Sequence, residues 1–107
     1  MTLNNEVEFS YFLDEKKENM LIVKYLLSND GEKVIEFVVI YTTIINGTPQ
    51  EIIKYDVSRK ETLHAHYYYQ KPTKKVFLQK EVSIETVIEI VDYLEKNWTK
   101  LRIKFNE

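Results

Sequence analysis

At Ser83 the hydrophobic pattern of the chain changes period, and that change constrains the fold more than any other feature. Before it, apolar and polar residues alternate in short runs; after it, Ile84, Val87, Ile88, Val91, Leu94, Trp98, Leu101 and Phe105 recur every three or four residues. A period of two marks a half-buried strand, and a period near 3.6 marks one apolar stripe along a helix. Strands first and a helix last point to an α+β domain. The expected architecture is an antiparallel β-meander of five to six strands, with one long C-terminal helix packed on one face. No repeat, low-complexity stretch or linker divides residues 1–107, so a single domain is expected.

The strands are delimited by turn residues. Val7, Phe9, Tyr11 and Leu13 alternate with polar neighbours, and the charged stretch 14–18 ends that run. A second β-rich run covers residues 20–27 and stops at Asn29-Asp30-Gly31, whose residue types tolerate positive φ. Residues 34–45 form a long β-branched run ending at Asn46-Gly47, the strongest short-range hairpin signal, and 51–57 returns from it. Runs at 62–69 and 76–79 flank Lys71-Pro72-Thr73, where proline cannot donate to a ladder. Ser83 suits the N-cap of the helix. Acidic Glu85, Glu89 and Asp92 lie towards the helix start and basic Lys96, Lys100, Arg102 and Lys104 towards its end, as the helix dipole favours.

A two-residue turn at Asn46-Gly47 sets Ile40 opposite Ile53, and a three-residue loop at 58–60 sets Ile53 opposite Ala65. These registers predict one apolar face of Val38, Ile40, Ile53, Tyr55, Leu63, Ala65 and Tyr67 as the seat of the helix. The opposite face then carries Phe37, Val39, Tyr41, Ile52, Lys54, Asp56, His64, His66 and Tyr68, with Lys54 opposite His64. One helix cannot cover both faces. The second is expected to meet a protein partner or a second copy of the chain.

Composition removes several chemistries. There is no cysteine, so disulfides, thiolate metal sites and cysteine nucleophiles are excluded. No apolar run is long enough to span a bilayer and the start lacks a secretory pattern, so no membrane association and a cytoplasmic location are expected. Lys and Glu enrichment, no Cys and only two Gly fit a thermophile, while eleven Ile, thirteen Lys and eight Tyr fit an A/T-rich genome equally. The formal charge of −2 is uneven: residues 54–80 carry +5 and the remainder −7.

His64-Ala65-His66 projects two imidazoles from one face of a strand. Such a pair needs a third ligand to hold a metal, and Asp56 is the nearest same-face carboxylate; solvated surface histidines are the commoner case, so no metal and no cofactor is expected. The candidate catalytic set is therefore metal-free: Lys54, Asp56, His64, His66 and Tyr68, with histidine as acid or base and Lys54 facing a phosphate. RNA is a possible ligand, because the basic segment is interleaved with Tyr55, Tyr67, Tyr68, Tyr69 and Phe77. Lysines guarding an edge strand explain Lys71, Lys74, Lys75 and Lys80 as well.

Ile53-Lys54-Tyr55-Asp56, then His64-Ala65-His66, then a closing helix with Asn97-Trp98, resembles small prokaryotic and archaeal proteins related to TumE-like toxin components of toxin–antitoxin pairs. Those relatives commonly carry Arg-Tyr-Asp followed by histidines on a sheet with a C-terminal helix. The likeness covers about residues 35–105, with Lys54 where arginine is usual and without the Asn-Ala-Pro or His-Gly steps. It implies that Lys54, Tyr55, Asp56, His64 and His66 act as a unit. The expected function is an interaction module of a toxin–antitoxin-like or mobile-element system. A metal-independent ribonuclease or RNA-binding protein is the alternative.

Overall fold

The structure, a computed structural model, describes residues 5–107; the first four residues of the chain start read above lie outside it. Six strands, β1 (Glu6–Phe12), β2 (Asn19–Leu27), β3 (Val34–Ile45), β4 (Thr48–Val57), β5 (His64–Tyr67) and β6 (Lys74–Phe77), precede one helix, α1 (Ile84–Phe105). The strands form a single sheet in the order of the chain, each antiparallel to the next. The α+β meander expected from the period change is the fold.

Turn chemistry sets the hairpins. Asn46 and Gly47 both have positive φ, 53° and 79°, and Ile45 faces Thr48 across them. Positive φ at both central residues matches the right-handed twist of the flanking strands, and Asn and Gly reach it cheaply. Between β1 and β2, the Asp14 carboxylate accepts from the backbone of Glu18 and Asn19 and from the Asn19 side chain, all at 3.0–3.1 Å. Asn19 in turn accepts at 2.6 Å from the Tyr41 hydroxyl inside the core.

Two of the expected registers are corrected. The β3–β4 ladder runs as predicted from Ile45↔Thr48 to Thr42↔Glu51, then shifts so that Tyr41 pairs with Ile53. Ile52 is the extra residue of a bulge, and both Ile52 and Ile53 are buried. Strict alternation buries one of two neighbouring residues; a bulge buries both, and the adjacent isoleucines supply the driving force. Beyond the bulge the faces exchange. Phe37, Val39 and Tyr41, expected on the open face, lie in the core with Ile53, Tyr55, Val57 and Ala65, while Val38 and Ile40 turn away. The loop after β4 is longer than three residues: Ser58 and Glu61 bond to each other around Arg59-Lys60, and β5 starts only at His64. Lys54 is consequently opposite His66, and Asp56 opposite His64.

Ser83 caps α1, its hydroxyl accepting from the Thr86 amide at 3.2 Å, and Arg102 and Lys104 occupy the last turn. The helix lies mainly across β3 and β4. Val87, Ile90, Leu94 and Leu101 are buried against the sheet, with Val91, Trp98 and Phe105 half-buried beside them; Trp98 meets the Tyr41 ring edge-on at 6.3 Å. The predicted stripe is rotated at its start. Ile90 takes the buried place expected of Ile88, which is 60 % exposed. Ile84, Ile88 and Val91 instead line a groove of about 400 Å³ with Phe9 and Tyr25, because the helix packs mainly on β3 and β4 and meets β1 through Glu95, which accepts from the Tyr11 hydroxyl at 2.7 Å. Arg102 anchors the other end, its Nε donating to Thr43 at 3.0 Å. No helix among the described residues is long and apolar enough to cross a membrane.

Candidate functional site on the uncovered sheet face

With the helix on one side, the residues of the other side form two rows across the whole sheet. One runs Glu8, Lys24, Val38, Asp56, His64, Phe77; the next runs Ser10, Ile22, Ile40, Lys54, His66, Lys75. Apolar Ile22, Val38 and Ile40 occupy the middle and are half-buried, while titratable groups gather over β4 to β6. The five expected site residues do come to one region, in altered roles.

His64 is the fixed member. It is 1 % exposed, contrary to an open strand position, because His66 and Phe77 pack on its ring at centroid distances of 4.9 and 5.7 Å. Its Nδ1 lies 2.8 Å from the Thr62 carbonyl, which can only accept, so Nδ1 carries the proton. Nε2 then points towards Glu61 at 3.5 Å and Asp56 at 4.0 Å. Glu61 is held on its far side by Lys75, and this hydrogen bond lowers its pKa. The ring is therefore held by the Nδ1 contact and by the packing of His66 and Phe77, with the Asp56 and Glu61 carboxylates brought beside its other nitrogen from β4 and from the loop before β5.

His66 is the accessible member. Its ring stacks on Tyr68 at 5.5 Å with only 3° between planes. Burial lowers its pKa first, and His64, Lys75 and Lys54 lower it further against the opposing Asp56. The lowering favours the neutral ring, which is able to accept a proton. Tyr68 is held above the usual phenol range by burial and by Glu51 and Asp56, so it is a hydrogen-bond donor there. Among the described residues no group of three or more His, Asp or Glu side chains is disposed to hold a metal ion.

The basic segment does not form one patch. Lys75 pairs with Glu61, Lys80 with Glu89 on the helix, and Lys71 donates to the Glu107 carbonyl. Its aromatic residues are divided too: Tyr55 is in the core and Tyr69 lies under Lys104 of the helix, while Phe77, 58 % exposed, borders the cluster. The sequence reading missed Glu61, Lys75 and Phe77 as neighbours of the histidines. The Glu61-Thr62-Leu63-His64 spacing was visible, but only the loop geometry turns the carboxylate onto the ring.

Residues 4–107 match the family described as "Domain of unknown function (DUF7718)". The chain belongs to this family. Sheet, helix and histidine cluster all lie within the DUF7718 match. No curated protein and no solved structure matches the chain.

Proposed function

We propose that this DUF7718 domain is an interaction module that binds a protein partner through the uncovered sheet face, as one component of a toxin–antitoxin-like or mobile-element pair. The observation that carries the reading is the pair of rows themselves. Ile22, Val38 and Ile40 give an apolar centre, and Lys24, Lys54, Asp56 and His66 surround it with polar groups, the usual anatomy of a protein interface. The pairing with a second component rests on the resemblance of Lys54-Tyr55-Asp56 and His64-Ala65-His66 to TumE-like proteins. The face is poorly suited to nucleic acid as a whole, because Glu8, Asp56 and Glu61 oppose its lysines.

A neighbouring reading frame is the source of the partner to test. Co-expressed with that product, the chain is expected to elute as a stable complex, and Ile40→Asp is expected to abolish the complex while the circular dichroism of the fold is retained, at a lower melting temperature because a half-buried β-branched residue of a central strand is lost. A complex that survives Ile40→Asp, or no complex, rejects the reading.

The second reading, metal-independent RNA cleavage, is favoured by one observation: His66, its pKa lowered by burial, sits between Lys54 and Lys75 in its row. His66 would take the proton of a ribose 2′-hydroxyl as that oxygen attacks the adjacent phosphorus; the P–O5′ bond would break and the leaving 5′-oxygen would take a proton from water, with the lysines facing the phosphate. RNA degradation lost on His66→Gln, with unchanged folding, distinguishes it from the first.

A further inference from the structure

The two edges of the sheet are protected very differently. β6 has four residues, two of them Lys74 and Lys75, and both are exposed. Short length and lysines are the devices that keep an edge from pairing. β1 has seven residues, Glu6 to Phe12, with no lysine, no proline and no bulge against β2. Among the described residues it has one neighbour only. Phe9 and Phe12 are each 44 % exposed, and Phe9 walls the apolar groove shared with Ile84 and Ile88.

The ladder shows which backbone groups are free. Leu13 N–H donates to the Asn19 carbonyl and Leu27 N–H to the Asn5 carbonyl, both in the register of the β1–β2 ladder. Odd-numbered residues of β1 therefore bond to β2, and by alternation Glu6, Glu8, Ser10 and Phe12 direct their N–H and C=O groups outwards.

We propose that β1 pairs with β1 of a second copy, antiparallel about a two-fold axis at Phe9, to give one continuous sheet. Residue parity, charge and overlap together select the register. An axis normal to the sheet keeps each face on its own side, so residues of like parity must meet. Centred on Glu8, two carboxylates would stand directly opposite, which is destabilising. Centred on Phe9, Glu6 meets Phe12, Glu8 meets Ser10 and Val7 meets Tyr11; all seven residues pair, no like charges oppose, and the outward-facing groups of Glu6, Glu8, Ser10 and Phe12 are those that bond. Glu6 is further neutralised by Lys24 at 3.1 Å. The two Phe9 side chains meet at the axis, a non-hydrogen-bonded position where side chains approach most closely, on the side of the groove. The dimer places the two uncovered faces side by side, on the same side of the joined sheet.

The chain lacks cysteine, so a single introduced thiol reports the register. In Phe9→Cys the two sulfurs face each other across a pair whose Cα separation of about 4.5 Å suits a disulfide, and mild oxidation should give a covalent dimer; Glu8→Cys should not. Sedimentation equilibrium of the unmodified chain should give twice the monomer mass. Ser10→Pro removes an outward N–H without touching the β1–β2 ladder, and should raise the dimer dissociation constant by about 100-fold or more. Its helical and sheet circular dichroism should stay unchanged. A monomer at high concentration, or a dimer indifferent to Ser10→Pro, overturns the proposal. A Ser10→Pro dimer lost only with Ile40→Asp would instead assign self-association to the uncovered face.

Discussion

The two faces of this sheet are built from alternate residues of the same strands, yet they differ in kind. The covered face is a continuous apolar layer: Leu21, Val23, Phe37, Val39, Tyr41, Ile53, Tyr55 and Ala65 are buried beneath Val87, Ile90, Leu94 and Leu101. The uncovered face mixes half-buried aliphatics with Lys54, Asp56, His66 and Tyr68, and buries one titratable group, His64, without help from the helix. Stability resides on the first and chemistry is available on the second. The bulge at Ile52 joins the two assignments, since without it β3 and β4 would send opposite sets of residues to the helix.

Substitutions should separate the faces in order of size. The largest effect belongs to the covered face: Leu94 has no exposed surface, so Leu94→Ala should cost about 2–5 kcal/mol in urea unfolding. A loss near that of an exposed residue would place the helix wrongly on the sheet. Next is the polar contact inside the same layer. Tyr41→Phe removes the hydroxyl that satisfies buried Asn19 and should cost about 1–2 kcal/mol, with the m-value unchanged. If its loss is negligible, the Asp14–Asn19–Tyr41 link between the β1–β2 loop and the core does not matter to stability.

The smallest effect lies on the uncovered face and is read in pH dependence. His66 has a folded-state pKa below its ordinary value near 6.5, so the unfolded chain binds the proton more readily. The contribution of the neutral ring is present above pH 6.5 and is lost as pH falls through that value towards the lower folded pKa. His66→Gln should therefore flatten the melting temperature over that window and leave it unchanged at pH 8. An equal acid slope in both proteins would show that another group carries it. The same substitution made at His64 should lower stability at every pH, because it breaks the contact to the Thr62 carbonyl.

The loop after β4 and the ends of β5 and β6 were not legible in the sequence. The six strands in order, the Asn46-Gly47 turn, the helix and its cap at Ser83 were, because each depends on neighbours in sequence: Asn46-Gly47 needs positive φ, and Ser83 needs only the Thr86 amide. The gathering of Lys54, Asp56, His64, His66 and Tyr68 was legible for the same reason, since alternate residues of paired strands share a face. What faces what across β3 and β4 was not. Ile52-Ile53 is compatible with strict alternation or with a bulge, and only the competition among Phe37, Val39, Tyr41 and their neighbours for space under α1 decides between them. Burial of His64 was likewise decided in three dimensions, by Phe77 of β6 packing on the ring beside His66. The sequence by itself determined the elements, their order and the turns at Asn29-Asp30-Gly31 and Asn46-Gly47, because those follow from local backbone preference and hydrophobic period. Only the tertiary structure decided the register beyond the bulge and which side of the sheet the helix covers, because a one-residue slip leaves every local preference satisfied and changes only the packing.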